Sequence, residues 1–206
     1  MKINFLGDSI TGGCKVESDK VFHVVIAQQE GCICNSYGEG GSCLSREVNE
    51  EELKAWPPCF CDRIDTMDPD ADINVVFGGN NDYTHGSAPI GTPEDRTPET
   101  FYGACHYLIQ NLLDKYPGKT LIFMTPTHYQ GEMLPNRHGK IFKDYVKIIR
   151  EVCEEYAVPV CDLFANSGIA PTVESQRELF IPDGDHPNAR GHALIASRLL
   201  GLIRTL

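Results

Sequence analysis

Short apolar runs alternate five times with stretches whose apolar residues recur at helical spacing, and that alternation leaves few folds open. The runs cover residues 3–6, 32–36, 72–77, 120–124 and 158–161. Val21, Val24, Val25 and Gln28 mark a helix over residues 18–30. Three later helices are marked by Phe101, Cys105, Leu108 and Leu112; by Ile141, Tyr145, Ile148, Ile149 and Val152; and by Ala196, Leu199, Leu200 and Ile203. Pro98 stands where a first helical residue is tolerated. Residues 46–67 read as an acidic helical segment, a Pro57-Pro58 break and a second short helix. Strand–helix alternation predicts an α/β chain with a parallel sheet covered on both faces. Right-handed crossovers then favour a flavodoxin-like order of the five strands.

A chain of 206 residues with 41% apolar residues can bury one core, and a single domain over residues 1–206 is expected. The net charge of −11 speaks against a nucleic-acid partner, whose phosphates need basic side chains. No apolar run approaches the ~20 residues of a membrane span, and the first strand begins almost at Met1. A cytoplasmic location is expected. The nine cysteines, scattered through apolar segments, read as reduced, buried thiols. A rival reading puts zinc on Cys32, Cys34, Cys59 and Cys61, although structural zinc prefers two to four residues between paired ligands.

The first run ends in Gly7-Asp8-Ser9, with further glycines at Gly12 and Gly13. In an open parallel sheet ligands bind beyond the carboxyl ends of the strands, so Ser9 is held over a site by rigid scaffold. A helix starting just behind it is expected to aim unpaired N–H groups at charge developing near the hydroxyl. Glycine turns also follow the second and third runs, at Gly38-Glu39-Gly40-Gly41-Ser42 and Gly78-Gly79-Asn80-Asn81-Asp82. The stretch Asp183-Gly184-Asp185-His186 precedes the last helix. All four loops are expected at one edge of the sheet, and their residue types fit one task. Ser9 is the nucleophile, His186 the general base and acid, and Asp183 the group that fixes the imidazole tautomer. The N–H groups of Ser9 and Gly41 and the side-chain amide of Asn81 then bind the oxyanion.

These four blocks, in this order, resemble the SGNH hydrolases, also called the GDSL esterase and lipase family. Gly7-Asp8-Ser9-Ile10 is similar to its first block, with Ile where Leu is common. Gly79-Asn80-Asn81-Asp82 matches its third, which selects Asn81 over Asn80, and Asp183-Gly184-Asp185-His186 matches its last. The resemblance implies a three-layer α/β/α sandwich and ester hydrolysis with no metal or cofactor. Asp185 is a second acid beside the histidine and competes with Asp183 for the orienting role. Asp8, Asn80, Tyr83 and His128 are expected to contact substrate; His85 and His138 also lie in loops that could border the site.

The loops over residues 83–97 and 126–139 are poor in large aliphatics, so the expected substrate is a small polar ester, such as a short acyl group on a carbohydrate. Lysophospholipid or thioester hydrolysis uses the same constellation. A rival of another class is a non-catalytic module holding phosphate on Ser9, Thr11 and Gly12. Nothing in the sequence speaks to the oligomeric state.

Overall fold

The computed structural model describes residues Met1 to Leu206. Its strands are β1 (Lys2–Gly7), β2 (Ile33–Gly38), β3 (Ile73–Phe77), β4 (Thr120–Met124) and β5 (Val160–Cys161). All pair in parallel, in the order β2-β1-β3-β4-β5. This is the flavodoxin-like order, and β1 lies where the chain reverses its direction of growth across the sheet.

Side chains alternate across the strands, so each strand feeds both cores. Leu6, Val76 and Phe123 point into one core with α3 (Phe60–Arg63), α5 (Phe101–Lys115) and α6 (Phe142–Glu155). Phe5, Val75 and Ile122 point into the other, against α1 (Phe22–Glu30) and α9 (Ala189–Ile203). The result is a three-layer α/β/α sandwich. One polar row interrupts the first face: Asn35 donates to Asn4 Oδ1 and Asn4 to Asn74 Oδ1, each at 3.1 Å, across three registered strands. A slip of either neighbour of β1 would break this chain of amides, of which Asn4 and Asn74 are buried, so it pins the register.

Several local expectations need correction. No helix starts behind Ser9: the chain coils through turns, Gly12 N–H donating to Asp8 O and Cys14 N–H to Ser9 O, both at 2.9 Å. Left-handed backbone at Gly13 and Lys15 prevents these turns from propagating as a helix. Residues 18–20 are a 3₁₀ turn, and α1 starts only at Phe22. Pro98 lies outside α5, because the Thr100 hydroxyl caps the Gly103 N–H at 3.1 Å. β2 runs to Gly38 because its pairing continues until Gly7. β5 is two residues long, and Ile141 is the N-cap of α6 instead of a helical residue.

The acidic segment is α2 (Glu50–Ala55), with α3 following the Pro57-Pro58 break. Unforeseen are the short helices α4 (Asn80–Thr84), α7 (Leu163–Asn166) and α8 (Glu174–Phe180). No helix is long and apolar enough to cross a membrane. The two cysteine pairs of the zinc reading lie on opposite faces of the sheet, Cys59 and Cys61 in one core and Cys32 and Cys34 against the other.

Candidate active site

Ser9 leaves β1 at the carboxyl edge of the sheet, where steric exclusion shapes its turn. A Cβ on Gly7 would lie 2.0 Å from the Thr11 hydroxyl oxygen, and one on Gly38 2.2 Å from the Gly12 nitrogen. Backbone therefore packs on backbone where the turns after β1 and β2 meet. The loop before α9 reaches the same place, and Ser9 Oγ stands 3.2 Å from His186 Nε2.

His186 Nδ1 lies 3.0 Å from Asp183 Oδ2 and 3.6 Å from Asp185 Oδ2. The nearer carboxylate also accepts the N–H groups of Asp185 and His186 on Oδ1, at 2.9 and 2.7 Å, and Lys15 Nζ on Oδ2 at 2.6 Å. Partial burial pushes the Asp183 carboxyl up, but Lys15, these two N–H groups and the His186 ring outweigh it and hold it well below the usual carboxylate range. An ionised Asp183 accepts from Nδ1–H and leaves Nε2 as an acceptor toward the Ser9 hydroxyl. Asp185 is engaged elsewhere: its Oδ1 accepts from Asn80 Nδ2 at 2.8 Å.

Three donors share a cleft with the histidine. The backbone N–H groups of Ser9 and Gly41 make no hydrogen bond within the chain. Gly41 has φ +83°, and a Cβ there would lie 2.7 Å from the Trp56 ring, so glycine is required. Its carbonyl accepts from His85 Nε2 at 3.0 Å, and Trp56 stacks on His85 with ring centroids 4.0 Å apart. Asn81, in the first turn of α4, donates one Nδ2 proton to Ser42 O at 2.9 Å, and its amide has a second. Its neighbour Asp82 is buried and accepts the N–H groups of Leu44 and Ser45, both at 2.9 Å, tying α4 to the Gly41 loop. Burial pushes the Asp82 carboxyl up, against the pull of those donors.

Ser9, Gly41, Asn81, Asp183 and His186 all line one open cleft of about 520 Å³, with Trp56, Thr84, Tyr129 and Gln130 around them. The four residues expected to contact substrate lie outside that lining. Asp8 is buried, its Oδ1 accepting the Ile10 N–H at 3.0 Å, and burial pushes its carboxyl up to about 7. Asn80 is buried and holds Asp185. Tyr83 is 3% exposed and donates to the carbonyls of Gly131 and Leu134. His128 pairs with Glu132 and packs on Phe164, beside a different cavity.

Arg63, in α3, is a further contributor with no local motif. Its guanidinium is buried and donates to Tyr37 O at 2.6 Å, Gly7 O at 3.0 Å, Ser42 Oγ at 2.9 Å and Pro58 O at 3.1 Å. One side chain thus fastens the ends of β1 and β2 to the Gly41 loop. Burial pulls its pKa down, countered by Glu39 and the other nearby anions. Lys15 and Trp56 were equally silent in the sequence, since each acts through residues distant in the chain.

Comparison with known proteins places the chain in a family. The sequence matches the GDSL-like Lipase/Acylhydrolase family over residues 5–194. A crystal structure 32% identical in sequence superposes with a TM-score of 0.89, covering 100% of this chain and 96% of the other. A protein from Lactobacillus plantarum, 26% identical, gives 0.86 over 99% and 96%. The lipase/acylhydrolase from Enterococcus faecalis shares the fold at 21% identity, with a TM-score of 0.70 over 99% and 95%. No curated protein matches the sequence. With the family match spanning nearly the whole chain and all four of its sequence blocks meeting in one cleft, the chain belongs to the GDSL-like lipase/acylhydrolase family.

Proposed function

We propose that this protein is a serine esterase that removes a short acyl group from a small polar ester through an acyl-enzyme. The carrying observation is the continuous relay from Ser9 Oγ through His186 to Asp183, at 3.2 and 3.0 Å, facing the unpaired N–H groups of Ser9 and Gly41. In the first half-reaction Ser9 Oγ bonds to the ester carbonyl carbon as His186 Nε2 takes the hydroxyl proton. The tetrahedral oxyanion is held by the two backbone N–H groups and Asn81 Nδ2. Collapse expels the alcohol, which leaves with the proton from Nε2. Water, activated by the same nitrogen, then releases the acid and restores Ser9. No step calls for a metal or cofactor.

The cleft lining supports the small polar substrate: Thr84, His85, Tyr129, Gln130 and Asp185 offer hydrogen-bonding groups, and none is an aliphatic that could seat a long acyl chain. An acetyl xylan esterase with this fold, 17% identical, makes sugar acetates a sensible first panel. The nine free thiols, six of them buried, suit a reducing compartment, and a cytoplasmic location is part of the same reading.

An activated phosphonate tests the mechanism. A single adduct on Ser9, absent from Ser9→Ala, is expected; a protein that stays unmodified and hydrolyses no ester sinks the reading in favour of a phosphate-binding module. A p-nitrophenyl ester series tests the size limit, with kcat/KM expected to peak at acetyl to butyryl. A steady rise to decanoyl would replace the small ester with a lysophospholipid.

A further inference from the structure

Behind the Gly41 loop, three side chains of different chemistry point their donor atoms at one spot. Cys43 Sγ lies 3.1 Å from Glu47 Oε1 and 3.9 Å from His85 Nε2, and all three donor atoms are within 4.8 Å of one another. Donors of a tetrahedral zinc ion, with bonds of about 2.0–2.3 Å, stand about 3.4–3.6 Å apart, so only small side-chain shifts separate this group from a coordination shell.

The surroundings also fit. Glu47 is 7% exposed and has no Lys or Arg beside it: Arg46 turns to Asp62 and Glu99, and Arg137 to Glu52. A buried carboxylate without a cation is costly, and a bound divalent ion would supply the missing charge. An outer shell is in place, as Glu47 Oε2 accepts the Ser87 N–H at 2.7 Å and also the Ser87 hydroxyl. His85 Nδ1 stands 3.3 Å from Thr84 Oγ1. Cys43, Glu47 and Trp56 border a cavity of about 220 Å³, with room for access and for a water as fourth ligand.

We propose that Cys43, Glu47 and His85 form a binding site for a zinc-type divalent cation. One thiolate, one carboxylate and one imidazole suit a borderline ion better than calcium or magnesium. Binding forms the metal–Sγ bond and releases the thiol proton to solvent. It also engages His85 Nε2, so the imidazole proton resides on Nδ1, facing Thr84, and Gly41 O loses its donor. Given the esterase reading above, occupancy therefore loosens the oxyanion loop and lowers kcat.

The test is an anaerobic titration of the reduced, full chain with Co²⁺, read by absorption. One equivalent is expected to bind with a thiolate-to-cobalt band in the near ultraviolet. That band should vanish in Cys43→Ser and persist in the Cys32→Ser/Cys34→Ser double variant, while His85→Gln lowers affinity at least about tenfold. His85→Gln changes a half-exposed residue and keeps the test decisive if Cys43→Ser does not fold. Absence of the band at stoichiometric Co²⁺, its survival in Cys43→Ser, its loss in the double variant, or unchanged affinity in His85→Gln overturns the site. Turnover is measured on the same samples with Zn²⁺ in place of Co²⁺. A bound ion with undiminished kcat overturns the link to Gly41, and an inactive metal-free protein counts against the esterase reading instead.

Discussion

Replacing Asp183 by Asn removes one charge from a group that makes four polar contacts, and the geometry dictates where the loss falls. The two backbone N–H groups at residues 185 and 186 hold Oδ1 and will retain the amide oxygen of the variant. The amide NH₂ must then face His186 Nδ1 and Lys15 Nζ, where Oδ2 now accepts at 3.0 and 2.6 Å. Two donors cannot share that contact, so the imidazole adopts the tautomer with its proton on Nε2 and can no longer take one from Ser9. In a triad with no substitute acid this fault costs about 10⁴ in kcat. Here Asp185 Oδ2 stands 3.6 Å from Nδ1 and can close part of the gap. We expect a loss of about 100-fold, or about 2.7 kcal/mol of barrier. Asp185→Asn leaves the 3.0 Å contact in place and should stay within about threefold of the parent. The assay is steady-state hydrolysis of p-nitrophenyl acetate, with circular dichroism to verify folding. A larger loss in Asp185→Asn, or equal losses in both, would refute the assignment of Asp183 as the orienting acid.

Three further outcomes follow from the same coordinates. Asn81→Ala should lower kcat about 100-fold with little change in KM if, as proposed, its free amide proton binds the oxyanion; a loss confined to KM would assign it to ground-state binding. Lys15→Met removes the donor 2.6 Å from Asp183 Oδ2, the atom that also faces His186 Nδ1, so kcat should change several-fold with KM little altered; an unchanged kcat means Lys15 only decorates the rim. Asp8 holds its proton up to about pH 7 in the folded chain, against 3.8 ordinarily, so its contribution to stability falls as pH rises between those values. Asp8→Asn, which keeps the acceptor for the Ile10 N–H, should therefore gain on the parent across that window, by roughly 4 kcal/mol at most; a Tm difference independent of pH would discount the buried charge.

What could be read from the sequence was whatever couples a residue type to its own backbone. Ser9, Gly41 and His186 each sit in a turn whose glycines or position before a helix give the turn away, Asn81 comes shortly after the glycine pair at 78 and 79, and the strand alternation fixes which edge they share. Substrate contacts do not announce themselves this way. Tyr83 and His128 are near the right loops, yet a helical turn at residues 80–84 rotates Tyr83 inward and a hydrogen bond with Glu132 draws His128 aside. Lys15, Trp56 and Arg63 act across sequence separations that no local pattern encodes. The expected helix behind Ser9 failed for a local reason, the left-handed residues at positions 13 and 15, which a glycine pair only half reveals.

The buried Arg63 has a consequence for how such a site can diversify. Three of its four partners are main-chain carbonyls, at Gly7, Tyr37 and Pro58, and every residue type carries one of those. Substitution at position 37 or 58 therefore leaves in place the carbonyl that Arg63 holds, whereas position 63 has no equivalent replacement: lysine has one nitrogen where four acceptors wait. Mutational tolerance should thus be lopsided, with the cleft rim free to vary while a single arginine outside the cleft lining stays fixed.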